Sequence, residues 1–308
     1  MKRILVTGCS GLLGLNLALR ACEQYSIIGV VQQHGLSGVP FQTISLDLSL
    51  PDVFEKLLDA TKPDLVINCA ALANLDVCEE NPQQAERLNA AMPGELAEIT
   101  AKRDIALVHI STDAVFDGQR GDYSEDDPPN PINVYARTKL AGELAVASAN
   151  PQAIIARVNF YGWSLFGKRS LAEWFFNNLS AGNQVNGFTD VLFGPLLVND
   201  LADLLLEMAE KQLCGLYHTV SREYLSKYEF GRLLARQFGL DEALIKPVSW
   251  QAGGLRAVRS SNLTLRSDRL QKALGKPLPD QASAMSRFHE LYVQGFQKRI
   301  RSFSQQVD

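Results

Sequence analysis

Through the first half of the chain, short apolar runs alternate with longer stretches of helical periodicity, the pattern of a parallel sheet wound by crossover helices. The runs predict strands over 3–6, 26–31, 42–44, 65–68, 106–111 and 153–157, and the segments between them predict helices over 12–24, 51–60, 82–102 and 134–148. Pro51 suits a first helical turn, and Pro93 predicts a kink or a fresh turn inside the third helix. From 112 to 131 the chain is polar and rich in Gly, Asp and Pro, which predicts an ordered surface loop long enough to carry a function. Beyond 157 the alternation weakens. Helices are expected over 171–179, 199–211 and 227–238, extended pieces over 215–220 and 263–265, and a frayed tail over 303–308. The expected class is α/β, a doubly wound parallel sheet with a smaller C-terminal α/β unit.

Composition narrows the function without naming it. The chain has 308 residues, 46% hydrophobic and 21% charged, with a net charge of −4, so it offers no basic field and nucleic acid is not an expected partner. Cys9, Cys22, Cys69, Cys78 and Cys214 are odd in number and contain no C-x-x-C pair, which suits reduced thiols in a cytosol. The four histidines are scattered and give no zinc-ligand spacing, so no metal is expected. The apolar start, Ile4 to Val6, is far shorter than a secretory h-region, and no stretch approaches a membrane span. A cytoplasmic protein without membrane contact is the expectation.

The first motif with chemistry is Thr7-Gly8-Cys9-Ser10-Gly11-Leu12-Leu13-Gly14, a G-x-x-G-x-x-G that follows a strand and opens a helix. Such a turn brings backbone N–H groups and the positive end of a helix dipole close to a pyrophosphate, the start of a Rossmann-like dinucleotide site; the alternative is a glycine turn that binds nothing. The second strand ends in Gln32, Gln33 and His34 rather than an acidic residue, which favours NADP(H) over NAD(H) while leaving NAD(H) open. Asp47, with Leu48 beside it, either meets the adenine edge or caps the helix that follows. Ala70 and Ala71 end the fourth strand with small residues, where a flat cofactor or a packed helix passes close.

Tyr135 and Lys139 lie four apart, so on a helix they share one face, where an ammonium would lower the phenol pKa for proton transfer. Upstream, Ser111, Thr112 and Asp113 end the fifth strand, at the edge where ligands meet an open parallel sheet. Thr112, or else Ser111, is placed to hydrogen-bond a substrate carbonyl oxygen; the bland reading is a strand-end turn.

Residues 7–14, 68–71, 111–113 and 135–139 occur in the order and spacing of extended short-chain dehydrogenases/reductases, which the chain resembles. The closer likeness is to the dTDP-4-dehydrorhamnose reductase branch, carried by the wording of 63–68, 109–118 and 125–135, specific over 1–157 and looser through 265. That resemblance implies a dinucleotide-binding domain over 1–157, completed by parts of 190–225, and a mainly substrate-binding domain over 158–308. It also implies NADPH or NADH as hydride donor, a nucleotide-linked 4-keto-6-deoxy sugar as acceptor, Thr112, Tyr135 and Lys139 as the catalytic trio, and a homodimer. Ser111, Asp113 and Phe160 then face the sugar, Phe160 standing for the branch's usual aromatic in a stretch one residue shorter. Arg259 reads either as a contact to the substrate diphosphate or as a surface arginine. Two other readings compete. One is an epimerase or dehydratase that keeps NAD bound, although dehydratases place an Asp-Glu pair after the threonine and here Asp113 is followed by Ala114. The other is a non-catalytic NADP-binding subunit resembling the β subunit of methionine adenosyltransferase.

Overall fold

The computed structural model describes residues 2–253 and 260–304. Six strands of the first half are β1 (Arg3–Thr7), β2 (Ser26–Val31), β3 (Gln42–Ser45), β4 (Leu65–Asn68), β5 (Ala106–Thr112) and β6 (Ile154–Val158). Four short strands follow, β7 (Phe160–Tyr161), β8 (Val185–Phe188), β9 (Leu192–Phe193) and β10 (Leu196–Leu197), before β11 (Gly215–Thr219) returns to the main sheet. That sheet is parallel throughout, in the order β11-β6-β5-β4-β1-β2-β3. The chain moves outward from β1 to β3 and then restarts on the other side of β1 with β4. A crevice therefore opens between the carboxyl ends of β1 and β4, the position where doubly wound sheets bind ligands.

Successive strand residues feed two separate cores, which is why the strands read as continuous apolar runs. Ile4, Val6, Ile67 and Val108 pack on one face with α1 (Leu12–Ala21), while Leu5, Val66 and Leu107 pack on the other with α2 (Val53–Thr61). The expected helix over 82–102 is interrupted. After a short α3 (Leu75–Glu80), which the pattern did not predict, α4 (Pro82–Glu86) passes through one π turn at Arg87–Ala91 into α5 (Met92–Lys102). Pro93 sits in the first turn of α5, where its missing N–H and its ring are absorbed by the widened turn before it. The π turn also aims Asn89 at the loop after β4, where its side chain holds Leu72 by both backbone groups at 2.8 and 3.0 Å. α6 (Val134–Ala149) then packs on this region; a Cβ on Gly142 would come within 2.1 Å of the Asn89 carbonyl.

The second half adds α7 (Leu171–Ser180), α8 (Val198–Glu210), β12 (Leu225–Ser226), α9 (Lys227–Phe238), β13 (Ile245–Val248), β14 (Asn262–Leu263), α10 (Asp268–Leu274), α11 (Gln281–Val293) and α12 (Phe296–Ser302). Its centre is aromatic, with Trp163 stacked on Phe288 at 4.2 Å. The expected fraying is corrected at 303 and 304, while 305–308 lie outside the described residues: Phe303 is buried, its carbonyl accepts from the Ser37 N–H at 3.0 Å, and Ser304 pairs with Leu36. An apolar ring at that position is worth more inside than in solvent. No helix among the described residues is long and apolar enough to cross a membrane.

Candidate functional site

The glycine turn joins β1 to α1 directly below the crevice. Gly8 has φ +63°, and a Cβ there would meet the Ala70 nitrogen at 2.8 Å, so both its conformation and its closeness to the β4 end demand glycine. A Cβ on Gly14 would fall 2.4 Å from the Gly8 carbonyl oxygen, so α1 presses its first turn against the loop. Gly11 caps α1 without a side-chain bond and no acidic residue occupies the first turn, leaving the N–H groups of this helix start facing the crevice. The Thr7 hydroxyl donates to Asn68 Oδ1 at 2.6 Å and accepts from the Ala70 N–H at 3.2 Å, and Asn68 Nδ2 meets His109 Nδ1 at 3.1 Å. This row of bonds fixes three strand ends around a cradle that any side chain would fill. A dinucleotide pyrophosphate fits it. Ser10 and Leu12 are half-buried at its rim, whereas the Leu13 side chain is in the core and can offer only its backbone.

At the far end of the crevice, a cavity of about 640 Å³ lies beyond β2, lined by Gln32, Gln33, His34, Thr43, Ser45 and Phe166 among others. None of these is acidic. Asp47 does not cap α2: its carboxylate accepts from the Ser49 N–H at 2.8 Å and hydroxyl at 2.7 Å, and α2 starts later, at Val53. Leu48 is buried, Ala70 half-buried and Ala71 exposed.

Asn133 caps α6 by accepting from the Ala136 N–H at 2.8 Å, and this sets Tyr135 and Lys139 on the face toward β5. The Thr112 hydroxyl is within hydrogen-bonding reach of the Tyr135 phenol. Burial pushes that phenol up to about 12, Asp113 adds to the rise and Thr112 opposes it. The expected lowering by Lys139 is therefore not what the protein shows. Lys139 is buried and donates to the Ile110 carbonyl at 2.7 Å; burial pulls its ammonium down to about 8, with Glu143 opposing.

Asp113, also buried, accepts from Asn159 Nδ2 at 2.5 Å and from the Thr112 hydroxyl at 3.1 Å, and burial raises its carboxyl to about 6. Phe160 is half-buried in β7. Ser111 is not brought to the substrate side. Strand alternation turns it opposite to Thr112, and its buried hydroxyl donates to Glu143 at 2.5 Å. Arg259 lies outside the described residues. Sequence reasoning missed Glu143, Arg157 and Asn159. Glu143 had a readable signal, one helical turn beyond Lys139, and so did Arg157, a charge inside an apolar strand.

A switch-point crevice with a glycine cradle, and a Thr–Tyr–Lys group at the end of β5, define an extended short-chain dehydrogenase/reductase. The chain belongs to the family described as RmlD substrate binding domain, whose model matches residues 1–293. It is 35% identical over 251 residues to a probable low-salt glycan biosynthesis reductase of Haloferax volcanii, covering 78% of this chain and 82% of that one. It is 31% identical over 288 residues to a dTDP-4-dehydrorhamnose reductase of Mycolicibacterium smegmatis, covering 92% and 84%. The β subunit of methionine adenosyltransferase 2 from Rattus norvegicus is 30% identical over 88% of this chain and 82% of its own length. Among solved structures, a dTDP-4-dehydrorhamnose reductase of Clostridium acetobutylicum superposes with a TM-score of 0.81 at 25% identity, over 94% of this chain and 99% of that one.

Proposed function

We propose that this protein reduces the keto group of a nucleotide-linked 4-keto-6-deoxy sugar, as the names of its reductase relatives suggest, with NADP(H) preferred and NAD(H) accepted. The observation that carries the reading is the convergence of Thr112, Tyr135 and Lys139 beside a cradle closed to a Cβ at Gly8 and Gly14. Residues 1–157 with β11 form the cofactor side, and 158–308 contribute mainly to the sugar side.

Gly8, Ser10, Gly11 and the start of α1 would hold the pyrophosphate, Leu48 and the turn at Asp47 the adenine edge, and Ala70 and Ala71 the flat passage to the nicotinamide. The dinucleotide, when bound, supplies the hydride. Tyr135 stays protonated at neutral pH because burial disfavours its anion, and it gives its phenolic proton to the sugar carbonyl oxygen. As charge develops, Thr112 turns its single hydroxyl proton from Asp113 to that oxygen and gives it a second hydrogen bond. Lys139 orients the nicotinamide ribose and, as a cation, stabilises the phenolate left behind. Phe160 offers an aromatic face to the sugar ring. The neutral lining beyond β2 accommodates a 2′-phosphate, which favours NADP(H).

The likeness to the methionine adenosyltransferase β subunits supports a second, regulatory reading. One assay separates the two. NADPH and NADH absorbance is followed with a panel of nucleotide-linked 4-keto-6-deoxy sugars for wild type, Tyr135→Phe and Lys139→Met. Oxidation by wild type that collapses in both variants supports the reductase; tight cofactor binding with no sugar reduced would leave the regulatory reading.

A further inference from the structure

Behind Tyr135 and Lys139 lies a charged group that proton transfer does not by itself require. Glu143 follows Lys139 by one more turn, so the three side chains form a file down one face of α6. The Glu143 carboxylate is 4% exposed; Oε1 accepts from the Ser111 hydroxyl at 2.5 Å and from Arg157 Nε at 2.9 Å, and Oε2 accepts from Arg157 Nη2 at 2.7 Å. Arg157 is 2% exposed, and its Nη1 meets His218 Nε2 at 3.3 Å. Its guanidinium lies 5.0 Å over the Phe116 ring, which stacks on Tyr123. Ser111 directly follows Ile110, whose carbonyl receives the Lys139 ammonium. One carboxylate thus fastens the strand end that holds the lysine and sets a negative charge on the lysine's own helix face.

Buried ion pairs seldom stabilise a fold more than apolar side chains of equal volume, so two charges buried behind this site call for a role other than stability. We propose that Glu143, held by Arg157, is a positioning residue that keeps Lys139 against Ile110 and in its cationic form. This rests on the reading of Lys139 as a catalytic residue.

The groups around the ammonium are consistent with that role. Tyr135 and Glu143 face it from α6, Cys69 from the end of β4, and His109 from β5, with Asp113 facing Tyr135 and with Arg157 and His218 behind Glu143. Burial keeps His109 and His218 uncharged and pushes the Cys69 thiol up. That leaves Glu143 as the anion opposing desolvation at Lys139.

The test is the titration of Lys139 in the whole protein, read by NMR of ¹³Cε-labelled lysine and assigned by loss of the signal in Lys139→Met. Glu143→Gln, the isostere without charge, should titrate about one pH unit lower than wild type, a tenfold change in proton affinity. Glu143→Asp, shorter but charged, should stay closer to wild type. A merely structural Glu143 gives the reverse ranking, because the isostere keeps the packing. Unchanged titration in Glu143→Gln, or an equal shift in Glu143→Asp, overturns the proposal. If Glu143→Gln fails to fold with Arg157 unpaired, Glu143→Gln/Arg157→Met removes the unpaired guanidinium, still lacks the carboxylate and should titrate below wild type, by less than Glu143→Gln because the Arg157 charge is gone as well; a midpoint at or above that of wild type overturns the proposal. The basic limb of kcat against pH should move with the NMR midpoint. If wild type reduces no sugar, the assignment of Lys139 as catalytic falls, while the NMR ranking still decides what Glu143 does to it.

Discussion

Asn159 Nδ2 reaches Asp113 Oδ2 at 2.5 Å, tying the first residue beyond β5 to the first beyond β6. Burial raises the Asp113 carboxyl from its ordinary value of 3.8 to about 6, and the bonds from Asn159 and Thr112 limit the rise. A folded-state pKa above the unfolded one favours the protonated fold. The contribution is therefore fully present below about pH 4 and is lost as pH climbs through 6, by about 3 kcal/mol at neutral pH. Asp113→Asn should flatten the pH dependence between 4 and 7 by roughly that amount in urea titrations. Parallel wild-type and variant curves would contradict this, and Asn159→Ala should extend the wild-type loss to still higher pH.

The glycine cradle makes a steric prediction. Gly8→Ala places a methyl against the Ala70 backbone at a positive φ, and Gly14→Ala places one against the Gly8 carbonyl. Each should cost about 1–3 kcal/mol of stability and weaken NADPH binding at least about tenfold, measured by denaturation and by quenching of protein fluorescence. Binding unaltered in both variants would mean that the pyrophosphate does not lie on this turn.

Tyr135→Phe removes one oxygen without disturbing the packing of the ring. The expected outcome is a kcat about 10²–10⁴ lower with NADPH affinity within a few-fold of wild type, in steady-state and binding assays run side by side. A loss confined to affinity would make Tyr135 a cofactor contact and not the proton donor.

Phe303 is buried, and its carbonyl accepts from the Ser37 N–H near the cavity beyond β2. Phe303→Ala should destabilise the protein by about 3 kcal/mol in chemical denaturation, the ordinary range for emptying a buried aromatic site. A change within the noise would show that the Phe303 ring contributes nothing to the fold.

The inner strands of the main sheet, β1, β2, β4, β5 and β6, were legible because a strand buried on both faces leaves an uninterrupted apolar run, and the ends of β1 and β5 extended the reading by one threonine each. The glycine cradle and the Tyr135–Lys139 spacing were legible because backbone approach and helical periodicity both leave local marks. What was not legible depended on distant partners. The π turn at Arg87–Ala91 packs on α6, the Ser111 hydroxyl bonds Glu143, and the Phe303 carbonyl accepts from the Ser37 N–H. α10, α11 and α12 follow no apolar run strong enough to announce them, since much of their surface is polar.

Central to the account is hydride delivery to a sugar carbonyl carbon beside Tyr135. The most direct measurement supplies NADPH deuterated at the transferring position of C4, together with a nucleotide-linked 4-keto-6-deoxy sugar, and locates the label by NMR of the product. One deuterium on the former carbonyl carbon, in product that Tyr135→Phe forms about 10²–10⁴ more slowly, is the predicted result. A product that forms without label, or cofactor that binds and is never oxidised by any sugar of the class, would contradict it.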